Sequence, residues 1–367
     1  MRADLELRAA HQAVDASRVT LTVRDKPVGD VLEEVSRQTG NRIVDFRKFR
    51  GQPRHNPSIR LDLQEVPFWQ ALDTIFDQAG LAAYPYAIDD RGAPLRGVAF
   101  VNRTEKRAAD RQRIGYQGAF RFEPLQVITR RGLRDPLPSG LELEVEVAWE
   151  PRLKPLSLKV LYDSFQGTDD TGQPLTPEVK GEREIELQSG AVGRFSLRYR
   201  LPDPQARQLR NLRGKIEGLI PGGRATFRFD QLGMAEGQQQ QRGGATVTLQ
   251  HVRKIKGGPD PPGLPEQPPG GSIWEVRVRV RFETSGVPLE SHLMEWITEN
   301  EARLVDSTGK TIAWSTMEKT REVADEFGIA YLFGLEGEID GYAFHYTTPV
   351  ALLKKQIPLE FPELPLP

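Results

Sequence analysis

Residues 19–81 write one strand-then-helix pattern twice, and this repetition constrains the N-terminal quarter of the chain more than any other feature. Val19, Leu21 and Val23 alternate with polar residues, the period of a half-buried strand. Pro27 follows and suits the first turn of a helix, where its missing N–H would have no partner anyway. Val28, Val31, Leu32 and Val35 then fall at i, i+3, i+4 and i+7, a single apolar stripe, and Gly40 stands where a left-handed cap closes a helix. The second writing places Leu61 on Leu21, Leu63 on Val23, Pro67 on Pro27, Leu72 on Leu32 and Gly80 on Gly40.

Between the two copies, residues 42–46 read as a short strand, and residues 81–87 with 97–102 read as a hairpin. The expected unit is a small α+β domain over 19–103, in which two helices cover one face of a sheet. Residues 1–18 form a lead-in with a short helix, and the charged stretch 104–116 reads as a linker.

Beyond Tyr116 the helical period disappears and strand-like runs alternate with Pro, Gly and Asp turns, the pattern of antiparallel sandwiches. This region also repeats. Residues 141–149 match 274–282, 195–201 match 329–335, 214–219 match 337–342, and each copy finishes in an alternating strand, 225–229 and 357–361. The turn Asp170-Thr-Gly172 corresponds to Ser307-Thr-Gly309. The expectation is a multidomain chain: the duplicated α+β domain, a β-sandwich over 117–233, a glutamine-rich linker over 234–244, and a second β-sandwich over 245–367, both immunoglobulin-like in strand pattern.

A length of 367 residues allows two or three such domains, and a net charge of -1 argues against a globally basic nucleic-acid binder. The chain has no cysteine, which excludes disulfides, thiolate chemistry and cysteine-bound zinc. No apolar run approaches the roughly 20 residues of a membrane helix, and the first residues are too charged for a signal core. An exported protein of this sequence would have lost its signal.

The residues Val19-x-Leu-x-Val-x-Asp-x-Pro-Val-x-x-Val-Leu, Gln38-Thr-Gly40, Ile59-x-Leu-x-Leu, Val66-Pro-Phe-x-x-Ala-Leu72 and Ala79-Gly-Leu81 carry a resemblance. The pattern resembles the short N-terminal periplasmic domain of secretins and of TonB-dependent signal-transducing receptors. That resemblance covers about the first quarter of the chain and implies a bacterial envelope setting and a protein-contact surface, with no catalytic residues to carry over. Neither a secretin ring domain nor a receptor plug and barrel follows here, and the basic insertion between the two copies is foreign to the family pattern.

Two clusters stand out as candidate sites. Arg42, Arg47, Lys48, Arg50, Arg54 and Arg60 crowd one stretch with Phe46, Phe49 and His55, a composition that suits an anionic partner or a solvated loop with packed aromatics. Arg277, Arg279 and Arg281 project from one face of a strand whose counterpart in the first copy carries Glu142, Glu144 and Glu146, a candidate interface of opposite charges. An outward arginine row equally keeps a strand soluble.

Other constellations point to no chemistry. Asp170-Thr-Gly172 and Asp306-Ser-Thr-Gly309 look like aspartic-protease triplets, but a shared-proton carboxylate pair needs apolar flanks and these are polar turns. Calcium at Asp169 and Asp170 has too few oxygen ligands nearby. His11, His55, His251, His292 and His345 are scattered, and His292 with Glu295 lacks a third ligand. No nucleophile elbow or phosphate-cradling glycine loop is present. Catalytic residues, metals and cofactors are therefore not expected.

The expected function is that of a non-enzymatic envelope or cell-surface protein, extracytoplasmic, working by protein-protein interaction or self-assembly. Two alternatives stay open. A carbohydrate-binding or adhesion protein, taking envelope polysaccharide, would expose aromatics such as Trp274, Trp296 or Trp314, although Trp274 is phased as core. A hydrolase would place its site at a domain junction. Nucleic acid is the least favoured partner.

Overall fold

Each writing of the doubled pattern folds as a strand running into a helix through a proline. A computed structural model describes residues 2–89, 92, 95, 97–104, 113–134, 139–188, 191–255, 271–283, 297, 300–323 and 325–367. A lead-in helix α1 (Arg2–Ala13) is followed by β1 (Arg18–Pro27), α2 (Val28–Thr39), β2 (Ile43–Asp45), β3 (Ser58–Pro67), α3 (Phe68–Ala79), β4 (Leu81–Ala83) and β5 (Val98–Asn102). Pro27 and Pro67 hold extended backbone just ahead of α2 and α3, with φ of -54° and -56°. Gly40 and Gly80 end the helices in the left-handed region at φ 68° and 66°, a conformation that costs other residues strain.

The two halves meet strand to strand. β1 and β3 pair antiparallel, with Leu21 opposite Leu63 and Val23 opposite Leu61. β5 lies between β2, to which it runs parallel, and β4, to which it runs antiparallel. Val31, Val35, Phe68, Leu72 and Ile75 of the helices are buried against Ile59 and Leu61. Each such side chain contributes roughly 1.5–3 kcal/mol by leaving water.

The rest of the described chain is mainly strand, with short 3-10 turns at Leu232–Met234 and Ile339–Gly341. The first repeat supplies β6 (Gly115–Gln117), β7 (Phe120–Arg130), β8 (Gly140–Trp149), β9 (Ser157–Asp169), β10 (Glu182–Glu184), β11 (Leu187–Gln188), β12 (Val192–Tyr199) and β13 (Gln208–Phe229). The second supplies β14 (Gln239–Arg242), β15 (Ala245–Ile255), β16 (Ser272–Phe282), β17 (Glu301–Asp306), β18 (Thr311–Ala313), β19 (Thr316–Val323), β20 (Glu326–Leu335) and β21 (Tyr342–Pro365). Residues 115 and 116, read as linker, begin β6, and the glutamine-rich stretch read as linker contains β14.

The repeats agree in strand order and in register. One five-stranded sheet runs β11-β12-β8-β7-β6 and the other β19-β20-β16-β15-β14. Phe120 faces Trp149 as Ala245 faces Phe282, and a bulge interrupts both pairs four residues on, at Pro124/Gln126 and at Leu249/His251. Val192 faces Ala148 as Glu326 faces Arg281. Beside these sheets, β10 pairs β9 and β9 pairs β13, just as β18 pairs β17 and β17 pairs β21.

The sequence match of 214–219 with 337–342 does not survive. Gly214–Leu219 lies within β13, whereas Ile339–Gly341 forms a 3-10 turn before β21. Register sets Leu209 against Asp169 and Tyr342 against Asp306, so the counterpart of Tyr342 is Leu209. The two segments share glycine spacing but not a place in the sheet.

The chain forms two compact units. One contains Val14–Ile220 with Lys354–Pro367; the other contains Met1–Ala13 with Pro221–Leu353. β13 and β21 each run from one unit into the other, changing over at Ile220 and at Leu353.

Candidate functional site

Within the unit built on residues 14–220, the α+β portion packs against the first repeat's five-stranded sheet. Ala148 and Val192 of that sheet belong to the same buried cluster as Trp69, Leu72 and Phe76 of α3. A buried carboxylate fixes this junction. Glu150, with no exposed surface, accepts from Ser17 N at 2.8 Å, Ser17 Oγ at 2.6 Å, Asn41 Nδ2 at 2.9 Å and Arg152 Nε at 2.6 Å. Arg152 also donates its backbone N–H to Asn41 Oδ1 at 3.0 Å. A buried charge is tolerated when its lone pairs are satisfied this fully.

A second polar contact lies further along α3. Asp73 accepts from Tyr116 Oη at 2.5 Å and from Arg121 Nε at 2.8 Å, and Arg121 also binds Glu123 at 2.7 Å. Burial alone would lower the pKa of Arg121, but Asp73 and Glu123 outweigh it and hold the guanidinium above its usual value. Asp77, one turn on, pairs with Arg103.

Between α3, β4 and the sheet lies a cleft of about 140 Å³, lined by Trp69, Asp73, Tyr84, Tyr86, Arg121 and Arg194 among others. Two of its lining residues, Tyr84 and Tyr86, belong to a line of aromatic rings. Phe49 stacks on Phe46 at 4.9 Å between centroids, Phe46 on Tyr84 at 5.6 Å, and Tyr84 meets Tyr86 edge-on at 5.7 Å. Arg50 lies over the Tyr84 ring at 5.4 Å and Arg194 over the Tyr86 ring at 5.3 Å. Of the inner rings Phe46 is buried and Tyr84 half-buried, whereas Phe49 is 65% exposed and Tyr86 44%. Exposed rings of this size at both ends of a rigid stack are the kind of surface that proteins and sugars dock on.

The basic cluster thus divides. Arg47 is buried, holds Asp45 through two nitrogens at 2.9 and 2.8 Å, and donates to the His55 carbonyl. Arg54 also reaches Asp45, at 3.6 Å. Burial would raise the pKa of Asp45, but its bonds to Arg47 prevail and lower it. Arg42, Lys48, Arg50 and Arg60 are exposed, Arg50 on the aromatic stack and Arg60 on β3. The loop is therefore an Asp45-centred brace with exposed cations around it.

The two charged rows each find partners in their own sheet. Glu142 pairs with Arg198, Glu144 with Arg194 at 3.7 Å, and Glu146 with Arg194 at 3.0 Å. Arg277 pairs with Glu275 at 2.9 Å and Arg279 with Glu326 at 3.7 Å. Arg281 is exposed at the end of its row, and with Arg279 it lines a shallow cleft beside Gln239–Gln241.

Asp169 and Asp306 serve turns. Asp169 Oδ1 accepts from Thr171 N, Thr171 Oγ1 and Gln173 N at 3.0, 2.6 and 3.0 Å; Asp306 Oδ1 accepts from Thr308 N, Thr308 Oγ1 and Lys310 N at 2.9, 2.7 and 2.9 Å. Gly172 and Gly309 follow at φ 88° and 87°. These carboxylates are occupied by their own loops. Among the described residues no three His, Asp or Glu side chains gather as metal ligands. His292, Glu295 and Trp296 lie outside the described residues, while Trp274 and Trp314 are half-buried.

Sequence reasoning found Phe46, Phe49 and Arg50 but missed Tyr84, Tyr86, Arg194 and the Glu150 junction. Tyr84-Pro-Tyr86 followed a strand and was a readable signal; Glu150 carried none. No family model matches this chain, and comparison with curated proteins and with solved structures likewise yields no match.

Proposed function

We propose that the chain is a non-enzymatic protein of the bacterial envelope or cell surface, and that its α+β domain docks a partner protein. The observation that carries this reading is the aromatic stack of Phe49, Phe46, Tyr84 and Tyr86 with Arg50 and Arg194 laid over its rings. Tyrosine and arginine concentrate binding energy at protein interfaces and phenylalanine is enriched there; the aromatic rings bury much area at little conformational cost, and arginine brings charge and several donors. Lys48, Arg50 and Arg54 add exposed positive charge, which favours a partner offering acidic side chains around an apolar anchor. The two β repeats act as immunoglobulin-like sandwiches that space and present this domain. The resemblance of residues 19–81 to secretin and TonB-receptor short domains supports an extracytoplasmic setting.

Selection from a displayed peptide library against the whole chain tests the reading. Wild type is expected to enrich sequences with acidic residues flanking an aromatic or aliphatic residue, and Phe49→Ala with Tyr86→Ala to lose that enrichment. Equal enrichment by wild type and the double variant would overturn it. The exposed rings also favour a second reading, polysaccharide binding through sugar-ring stacking, supported if an array of envelope polysaccharides binds wild type and not Phe49→Ala.

A further inference from the structure

The two repeats have traded their last strands. In sequence order each repeat ends in an alternating strand, 225–229 for the first and 357–361 for the second. Yet 221–229 groups with the unit built from the second repeat, and 354–367 with the unit built from the first. The change-over falls inside β13 and β21, after Ile220 and after Leu353.

The incoming segment is deeply integrated in the unit of residues 14–220. Ile357, Leu359, Phe361 and Leu364 are buried there. Lys354 pairs with Glu217 at 2.7 Å, Lys215 reaches Gln356 Oε1 at 3.3 Å, and Leu366 N donates to the Arg207 carbonyl at 2.8 Å. Without the segment this unit would expose an apolar groove and the open edge of β13, a surface that pairs with whatever strand arrives.

The residues between Ile220 and Lys354, 221–353, belong to the other unit. Connection through that unit and through β21 leaves the segment in its own groove at a finite effective concentration, which a second chain can match when chains are concentrated. An identical segment on another molecule offers the same side chains to the same groove, and exchange of identical elements is a low-cost route to association. Glu217 and Gln356 as partners of Lys354 and Lys215 make the chain's own sequence the matching donor.

We propose that residues 354–367 are an exchangeable strand, and that two copies of this chain associate by each placing it in the other's unit of residues 14–220. Exchange takes place during folding, when the groove is unfilled, so the dimer fraction rises with chain concentration at that stage. The occupant is a second copy. This proposal is independent of the docking surface on the α+β domain.

The absence of cysteine from the sequence gives a direct test. Chains carrying Lys215→Cys alone and chains carrying Gln356→Cys alone, both at exposed positions, are unfolded together, refolded over a range of concentrations and oxidised. The expected product is a covalent dimer whose linking peptide joins positions 215 and 356, increasing with refolding concentration. The proposal is overturned if the mixed single variants remain unlinked at every concentration while a chain carrying both substitutions, refolded in the same way, forms that peptide within itself. Glu217→Cys with Lys354→Cys serves as a second pair should either first variant fail to fold, with the same two outcomes.

Discussion

The two β repeats share strand order, register, bulge position and turn chemistry, yet one carries the α+β domain and, among the described residues, the other carries no equivalent domain. Register identifies the positions that make the difference. Arg121, Glu146, Ala148 and Val192 of the first repeat correspond to Thr246, Arg279, Arg281 and Glu326 of the second. Where α3 packs, Ala148 and Val192 are small or apolar and join its core; in the second repeat Arg281 and Glu326 occupy those places. Glu150 makes the same point at one residue. Its backbone N–H bonds Ala119 O, as the N–H of Glu283 bonds Gly244 O, so the two glutamates are equivalent. One is wholly buried in a hydrogen-bonded network, and the other is exposed beside Gln241. A duplicated strand thus acquires a junction through a few side chains, with the backbone unchanged.

The sharpest way to break the comparison is at Glu150. Glu150→Ala takes this acceptor from the buried Asn41 amide and from the half-buried Ser17 and Arg152, and loss of one side of a buried charged network costs about 3–5 kcal/mol. Urea unfolding should show that loss, with hydrogen exchange rising first in β1 and β8. Next comes Ala148→Arg, which gives the first repeat the residue of the second. Overpacking beside α3 is expected to cost about 1–3 kcal/mol, and Arg281→Ala, the reverse change at an exposed position, about 0.5 kcal/mol or less. Equal effects at 148 and 281 would show that the α+β domain does not rest on this face.

What the sequence revealed and what it hid follow from one distinction. Alternation and helical stripes report a strand's pleat or a helix's buried face, so the doubled β-α pattern, the caps at Gly40 and Gly80, and the paired repeats were all legible. They do not report which sheet receives a strand. Residues 357–361 look like the end of the second repeat because their pattern is the same in either unit. Burial of a polar residue is equally silent: Trp149-Glu150 and Phe282-Glu283 read alike, and only Ser17, Asn41 and Arg152, distant in sequence, set one apart. The candidate surface was half legible. Phe46, Phe49 and Arg50 are neighbours in the chain, but Tyr84, Tyr86 and Arg194 arrive through β4 and β12.

A smaller effect tests where the repeats agree. Thr171→Val and Thr308→Val each remove one hydroxyl donor from turns that share their Oδ1 hydrogen bonds. The first, at a buried aspartate, should cost about 1 kcal/mol, and the second less because Asp306 is better solvated. Acid titration sharpens this. Burial would raise the pKa of Asp169, but the bonds from Thr171 and from the Gln173, Asp203 and Thr171 N–H groups lower it; at Asp306 the Thr308 hydroxyl is the leading cause of the lowering. A carboxylate lowered in the folded state stabilises fully above its unfolded pKa, roughly 4 for aspartate. That contribution fades as pH falls through the folded value. Both threonine variants should therefore lose less stability than wild type between neutral pH and the acid limb, and a parallel shift of all three curves would remove the turns from the account.

The smallest expected effect is the most discriminating. Glu283→Ala changes the residue equivalent to Glu150, on the same strand end and with the same backbone hydrogen bond. Its carboxylate meets solvent and one glutamine amide, Gln241 Nε2 at 2.7 Å. Replacing an exposed acceptor returns that amide to water, so the change should fall within about 0.5 kcal/mol. Were it to approach the cost at Glu150, the stability of the strand end would lie in the repeat itself and the α+β junction would be incidental. A ratio of several-fold between the two alanine variants, measured by the same urea titration, places the energy in Ser17, Asn41 and Arg152, the three groups that only the first repeat gathers around its glutamate.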